Sequence, residues 1–184
     1  MRFVSLIPAA VALFVAGAAS AQTWGEYVNR EDFFMINFPG EPARQDTTYK
    51  TEKGTTLPAH VYTGQDARGG RYTITVVDYN SAAAELPTAI DEGAKGVRGK
   101  GTVKYEGKEA LDGHRTWRLT VELPNQRIVL AEVLAARNNR LYIAEAEVAP
   151  NVAPPAQYQA SLQVLDEDGV RIRYRGVGNT ERVR

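Results

Sequence analysis

The stretch RIVLAEVLAAR, residues 127–137, is apolar at nearly every position, and Glu132 is the one acidic residue within it. A half-buried strand alternates apolar and polar residues, whereas a strand with this pattern is buried on both faces. The sequence therefore predicts a sheet with cover on both of its faces.

The segments around this strand predict an antiparallel meander. Asp112-Gly113 and Asn138-Asn139 suit tight hairpin turns, because these residues tolerate a positive φ. Alternating or continuous apolar patterns predict strands over residues 33–38, 57–64, 71–79, 103–111, 114–123, 127–137, 140–148 and 170–174. The last of these is short and is predicted to be an edge strand.

Two helices are predicted as the cover of this sheet. Apolar residues recur at helical spacing over 86–98, and a second helix is predicted over 154–165, where two prolines stand at the start. The expected fold class is α+β, a central antiparallel sheet of about six to seven strands covered by helices. One domain is expected over residues 22–176, followed by a flexible tail over 177–184.

The N-terminus, residues 1–21, has the order of a secretory signal peptide. Arg2 precedes a short apolar run, and Ala19 and Ala21 frame a predicted cleavage between Ala21 and Gln22. The apolar run is shorter than a transmembrane helix requires, and an uncleaved membrane anchor is the alternative. We therefore expect export to the periplasm.

Composition excludes several classes of site. The chain has no cysteine, which excludes disulfides, thiolate metal sites and cysteine nucleophiles. Its 22 basic and 22 acidic side chains give a net charge of zero, so nucleic acid is not an expected partner. No motif for a cofactor is found, and none is expected.

Histidine is scarce, and this limits acid-base and metal chemistry. His60 is predicted within a strand and His114 beside a hairpin turn, with no metal-binding spacing between them. A hydrolase would require one of them to meet an acidic side chain in a cleft. The sequence shows no such constellation, and we expect no enzyme.

Carboxylates on apolar strands are the other candidates for an unusual environment. Any of Glu132, Glu145 and Glu147 that faces inward would have a perturbed pKa and would be a site candidate. The acidic run at 166–168 lacks the ligand pattern of a calcium loop and is interpreted as a solvated turn.

Arg171, Arg173 and Arg175 alternate at the predicted last strand, which places three guanidinium groups on one face. They are weak candidates for contact with an anion or a partner. Protection of a sheet edge by charge predicts the same pattern.

Four stretches carry a resemblance to a known family: FFMINFPGEP (33–42), GGRYTITVVDYN (69–80), NNRLYIAEAEV (138–148) and YQASLQVL (158–165). Together they resemble a group of small exported bacterial proteins with the PsbP-like α/β/α sandwich fold. The resemblance spans most of residues 33–165 and implies a fold. It implies no catalytic residues, because the shared positions are apolar and turn residues.

Three functions follow as hypotheses. The first is an exported, non-enzymatic binding or accessory protein with an exported protein as its partner. The second is a small-ligand-binding protein with a pocket between sheet and helix. The third is a hydrolase of unfamiliar type.

Overall fold

The structure, a computed structural model, describes residues 24–136, 138–153, 155–174 and 180–183. The predicted signal peptide, Arg175 and part of the predicted C-terminal tail lie outside the described residues. Strands account for 55% of the described residues and helices for 16%. The protein is therefore built mainly from β-structure.

Seven antiparallel strands form a large sheet. In chain order they are β3 (Ala43–Lys50), β4 (Thr56–Gln65), β5 (Arg71–Asp78), β6 (Thr102–Leu111), β7 (His114–Glu122), β8 (Ile128–Ala136) and β9 (Arg140–Val148). Their order in the sheet is β3-β4-β5-β9-β8-β7-β6. The β6–β7 turn is Asp112-Gly113, and both residues have a positive φ as predicted.

A smaller sheet packs on one face of the large one. It contains β1 (Trp24–Asn29), β2 (Phe34–Pro39) and β10 (Gln163–Val164), in the order β1-β2-β10. β2 buries Phe34, Ile36 and Phe38 completely, by the alternation expected of a strand. A separate hairpin pairs β11 (Arg171–Tyr174) with β12 (Thr180–Val183).

One long helix, α1 (Leu86–Arg98), lies on the opposite face of the large sheet against β7, β8 and β9. It follows a 3₁₀ segment (Asn80–Glu85) and begins with Pro87 near its N-terminus. The helix buries Ile90 and Val97 in an apolar cluster with Val133 of β8. No helix of the described residues is long and apolar enough to cross a membrane.

The prediction of a sheet covered by helices, and with it the α+β class, is wrong. α1 covers one face, but a second sheet with the short helix α2 (Ala156–Ala160) covers the other. The pattern of β8 requires apolar neighbours on both faces, and it does not distinguish a helix from a sheet as the neighbour. Leu134 accordingly packs against the small sheet, while Val133 packs against α1.

The helix predicted over 154–165 is also wrong in most of its length. α2 has five residues, and the chain then extends into β10, which pairs with β2. Tyr158 and Leu162 have helical spacing, but both are buried by packing on the small-sheet side of the core. Their apolar spacing therefore predicts that both residues are buried, and a short helix followed by an extended segment buries them as well as a long helix would.

Candidate functional site

A cleft of about 860 Å³ lies where one end of the large sheet meets the small sheet. Its lining comes from distant parts of the chain: Phe33, Asn80, residues 138–140, residues 165–168 and Ile172. The volume is in the range of ordinary small-molecule sites. Most of the lining side chains are polar, so the cleft differs from an apolar gap in the core.

Arg140, the first residue of β9, is the charged group buried at this cleft. Only 8% of the residue is exposed. Its Nη1 lies 2.8 Å from Asp78 Oδ1 in an ion pair. Its Nε, by contrast, has no hydrogen-bond acceptor among the described residues. A buried donor without an acceptor costs about 1–3 kcal/mol, so this arrangement calls for a compensating partner.

A buried acceptor without a donor lies near this Nε donor, in the lining of the same cleft. Asn138 donates from Nδ2 to the Tyr142 hydroxyl at 2.9 Å, while its Oδ1 is buried without a donor in the described chain. Asn139 has φ 56° and donates to Asn80 Oδ1 at 3.2 Å. Asparagine tolerates this left-handed conformation better than most residues, so Asn139 can hold the turn while its side chain contacts Asn80.

Phe33 lines the cleft in a strained backbone conformation, with φ 56°. A bulky residue adopts a positive φ only where its surroundings enforce it. Three hydrogen bonds do so: Tyr142 donates to the carbonyl oxygens of Asp32 and Phe33, and the Leu165 amide donates to the latter at 2.8 Å. The Phe33 ring consequently stands 5.8 Å from the Arg140 guanidinium carbon.

Acidic residues form one rim of the cleft. Asp166 Oδ1 accepts from the amides of Asp168 and Val170, which folds residues 166–170 into a turn. Glu167 and Asp168 are exposed at this rim. The sequence predicted a solvated turn here, and the backbone does form a turn. That this turn lines the same cleft as Arg140 was not predicted.

His60 does meet an acidic side chain, though outside the cleft. Its Nδ1 lies 2.7 Å from Asp32 Oδ2, and Tyr62 donates to the same oxygen at 2.6 Å. Arg44 Nη2 lies 3.1 Å from His60 Nε2, and since arginine only donates, Nε2 is the acceptor and Nδ1 carries the proton. Arg44 therefore occupies the nitrogen that would take a proton from a nucleophile.

The three glutamates singled out from the sequence have different environments. Glu145 is paired with Lys100 and Glu147 with Arg127, each at 2.5 Å. Glu132 is completely buried, and neither of its carboxylate oxygens has a hydrogen-bond donor among the described residues. Of the three, only Glu132 combines burial with missing partners.

Burial raises the pKa of Glu132 to about 7, and the charge of Arg118 opposes this while that of Glu109 adds to it. Arg118 Nε is 3.8 Å from Glu132, and Arg118 Nη1 is 2.8 Å from Glu109. Near neutral pH the Glu132 carboxyl is therefore partly protonated.

Arg171 and Arg173 share one carboxylate. Arg171 donates to both oxygens of Asp112 at 2.7 and 2.9 Å, and Arg173 donates at 3.1 Å. Burial alone would raise the pKa of Asp112, but the two arginines outweigh burial and hold it below its ordinary value. Arg175 lies outside the described residues. Contact of these arginines with an anion or a partner stays a prediction.

A smaller pocket of about 330 Å³ lies between α1 and the large sheet. Leu86, Pro87 and Ile90 line it from the helix side, and His114 and Ala136 line it from the sheet. His114 is 4% exposed and is part of the packed end of β7. This pocket has the location expected for the second hypothesis, but its lining is mainly apolar and offers little to orient a ligand.

No group of three or more histidine, aspartate or glutamate side chains within the described ranges is arranged to hold a metal ion. Sequence reasoning missed the cleft, because its residues are far apart in the chain. One signal was present: the polar Asn138-Asn139 turn leads directly into Arg140 at the start of an otherwise apolar strand.

A scan against protein families and a search of the curated proteins both find no match. Among solved structures, the chain is similar to the solution structure of cyanobacterial PsbP (CyanoP) from Synechocystis sp. PCC 6803, with 14% identity and a TM-score of 0.46. The similarity covers 83% of this chain and 98% of that one. That protein bears the name of the family that the sequence resembles, and a likeness of this extent carries no information on function or export.

Proposed function

We propose that this protein is a periplasmic, non-enzymatic binding protein that holds a small ligand in the cleft between its two sheets. The observation that carries the proposal is that the cleft holds two buried groups without a hydrogen-bond partner among the described residues, the Nε donor of Arg140 and the Oδ1 acceptor of Asn138. A ligand that offers both an acceptor and a donor satisfies both residues. The periplasmic location rests on the signal-peptide pattern of residues 1–21.

Small-ligand binding, the second hypothesis from sequence, thus becomes the first. The site differs from the one expected, since it lies between two sheets instead of between a sheet and a helix. An exported protein as a partner stays compatible with this function, because a partner that binds the ligand-bound state better would shift the population toward that state. No described contact identifies such a partner.

A hydrolase is disfavoured by the environment of His60. Its Nε2 accepts from Arg44, and in the described residues no hydroxyl donates to that nitrogen. The Asp32 carboxylate also accepts from Tyr62, so this group fastens the β1–β2 turn to β4. Burial raises the pKa of Tyr62 well above its ordinary value, and its hydroxyl therefore remains a donor.

The test is nuclear magnetic resonance of the ¹⁵N-labelled protein titrated with a small-molecule extract of the periplasm. The side-chain amides of Asn80, Asn138 and Asn139 are reporters within the cleft. We expect their resonances to shift, while that of Asn125, in the β7–β8 turn, stays in place. Mass spectrometry of the retained fraction identifies the ligand.

Two matched variants complete this experiment. Asn138→Ala removes the unused acceptor, whereas Asn125→Ala changes an asparagine in another turn of the same sheet. Loss of the shifts in the first variant and their retention in the second support the cleft as the site. If the extract shifts no cleft resonance, the proposed function is wrong. Equal shifts in both variants would show that the cleft binds a ligand without using Asn138 Oδ1.

A further inference from the structure

We propose that the ligand of the cleft is an uncharged saccharide. This inference rests on the proposed function, because it names the chemical class of ligand for the same cleft. Three features of the lining carry it: its balance of charge, its mixture of hydrogen-bond donors and acceptors, and an aromatic ring placed among them.

The charges at the cleft do not favour a charged ligand. Arg140 is already paired with Asp78, at 2.8 Å between Nη1 and Oδ1, so its positive charge is offset. Asp166, Glu167 and Asp168 belong to the same lining, and their carboxylates repel an anion. A cationic group brings donors alone, so it supplies no acceptor to the buried Nε of Arg140. An uncharged ligand avoids both difficulties.

The hydrogen-bonding groups that the lining offers are of both kinds. Arg140 Nε is a buried donor and Asn138 Oδ1 a buried acceptor, and neither has a partner in the described ranges. Asn139 donates from its side chain to Asn80 Oδ1 at 3.2 Å. That bond uses one donor of Asn139 and one acceptor of Asn80, so the Asn139 oxygen and the Asn80 amino group remain for a ligand. Donors and acceptors therefore occur together at this cleft.

Hydroxyl groups match such a mixed set. Each hydroxyl donates one hydrogen bond and can accept others, so it satisfies an arginine N–H and an asparagine oxygen alike. A saccharide carries several hydroxyls at different spacings on one frame. It therefore requires neither a charge in the lining nor one fixed distance between the donors and the acceptors.

The aromatic ring of Phe33 distinguishes a saccharide from water, which also both donates and accepts. This ring stands 5.8 Å from the Arg140 guanidinium carbon, in a strained conformation that hydrogen bonds from Tyr142 and Leu165 maintain. A pyranose has a face of C–H groups that buries apolar surface against an aromatic ring, while the hydroxyls at its edge stay available. The volume of about 860 Å³ has room for such a ring.

The experiment titrates the full-length mature protein with matched uncharged and charged pyranosides. The uncharged probes are the methyl glycosides of glucose, galactose, mannose and N-acetylglucosamine, and the charged probes are the amino-sugar and uronic-acid counterparts of the one that binds most tightly. Calorimetry measures affinity, and the side-chain amide resonances of Asn80, Asn138 and Asn139 report location. The free sugar, compared with its methyl glycoside, tells a free monosaccharide from the end of a glycan as the source.

We expect at least one uncharged probe to bind in the cleft, with an affinity that does not change between low and high ionic strength. Its uronic-acid counterpart should bind about tenfold more weakly or worse, because its carboxylate meets those of the lining. Its amino counterpart should bind no more tightly, since an ammonium group in place of a hydroxyl loses an acceptor.

Variants then assign the contacts. Arg140→Lys keeps a positive charge beside Asp78 but removes the Nε donor, and it should weaken the uncharged probe by about tenfold. Phe33→Leu removes the aromatic face and should weaken it by a similar factor. Asn80→Ala, at an exposed position, should weaken it several-fold, whereas Asn125→Ala, at an exposed position in the β7–β8 turn, should leave it unchanged. Near-ultraviolet circular dichroism first establishes that each variant is folded. If Arg140→Lys or Phe33→Leu is not, Asn80→Ala carries the test.

The outcomes separate this inference from the proposed function. If a charged counterpart binds more tightly than every uncharged probe, or if Asn80→Ala binds the probe as tightly as Asn125→Ala does, the saccharide is wrong. If no probe shifts the cleft resonances but the periplasmic extract does, a retained saccharide supports the inference, and a ligand of another class overturns it while the proposed function stands. If neither probes nor extract shift these resonances, both proposals fail, and bridging water accounts for the buried groups.

Discussion

Replacing Glu132 by glutamine should stabilise the protein, and by an amount that grows with pH. The side chain is fully buried, its oxygens have no donor among the described residues, and burial raises its pKa to about 7 from an ordinary value of 4.5. Glutamine has nearly the same shape as a protonated glutamate and never ionises. The variant therefore removes the cost of a buried charge and changes the packing little.

The sign follows from the order of the two pKa values. Below about pH 4.5 the carboxyl is protonated in both the folded and the unfolded chain, and it contributes nothing to pH dependence. As the pH rises toward 7, the unfolded chain releases the proton more readily than the folded one, so the free energy of unfolding falls. The interval from 4.5 to about 7 corresponds to a maximum loss of about 3 kcal/mol.

Urea unfolding at about pH 5 and about pH 8 measures this effect. Glu132→Gln should match the parent protein to within about 1 kcal/mol at the lower pH and exceed it by about 2–3 kcal/mol at the higher one. The control is Glu26→Gln, an exposed glutamate on β1, which should show no such trend. A difference between Glu132→Gln and parent that is the same at both pH values refutes the reasoning.

Three further sets of variants test the packing and polar contacts. Gly93→Ala should destabilise by about 1–3 kcal/mol, since its Cβ would stand 2.9 Å from a β8 methyl group. In the same helix, the added Cβ of Gly96→Ala meets no atom within 4 Å, and this variant should be more stable by about 0.5–1 kcal/mol. If thermal unfolding shows that both variants are stabilised, or both destabilised, the described packing of α1 on β8 is contradicted. Asp112→Ala should speed hydrogen exchange in β11 before it affects β8, because both arginine partners lose their carboxylate. Asp32→Ala should lower the free energy of unfolding by about 1–3 kcal/mol for each donor that it leaves unsatisfied. In urea unfolding it should cost more than His60→Ala. The reverse ranking would show that the Asp32 carboxylate is not the group that holds this cluster together.

Much of the large sheet could be predicted from the sequence, because its strands carry local signals. The helix over 86–98 has the predicted bounds, and β8 and β9 begin and end within about one residue of the predicted positions. The apolar periodicity identifies each element, and turn residues indicate where it ends. β3 was not predicted, because its sequence ARQDTTYK forms an exposed edge strand and has no apolar alternation. β1 was also missed as a strand, since its apolar residues Trp24 and Val28 are exposed and do not alternate with polar residues as in a half-buried strand.

The cleft could not be predicted, for a related reason. Arg140 appears in the sequence as the polar start of an apolar strand, and residues 166–168 appear as an ordinary turn. These residues line one cleft because the small sheet covers this face of the large one, where the sequence predicted a helix instead. The burial of Glu132 was likewise decided by which element covers that face of β8.

The strand order of the large sheet also bears on how the chain folds. β3, β4 and β5 are successive neighbours, as are β6, β7, β8 and β9, and one seam between β5 and β9 joins the two halves. Pairings between distant segments form slowly, so we expect each half to form early and the seam to close late. Asp78 pairs with Arg140 at the end of this seam, where the cleft is assembled. A ligand of the cleft would therefore recognise only chains whose two halves have already joined.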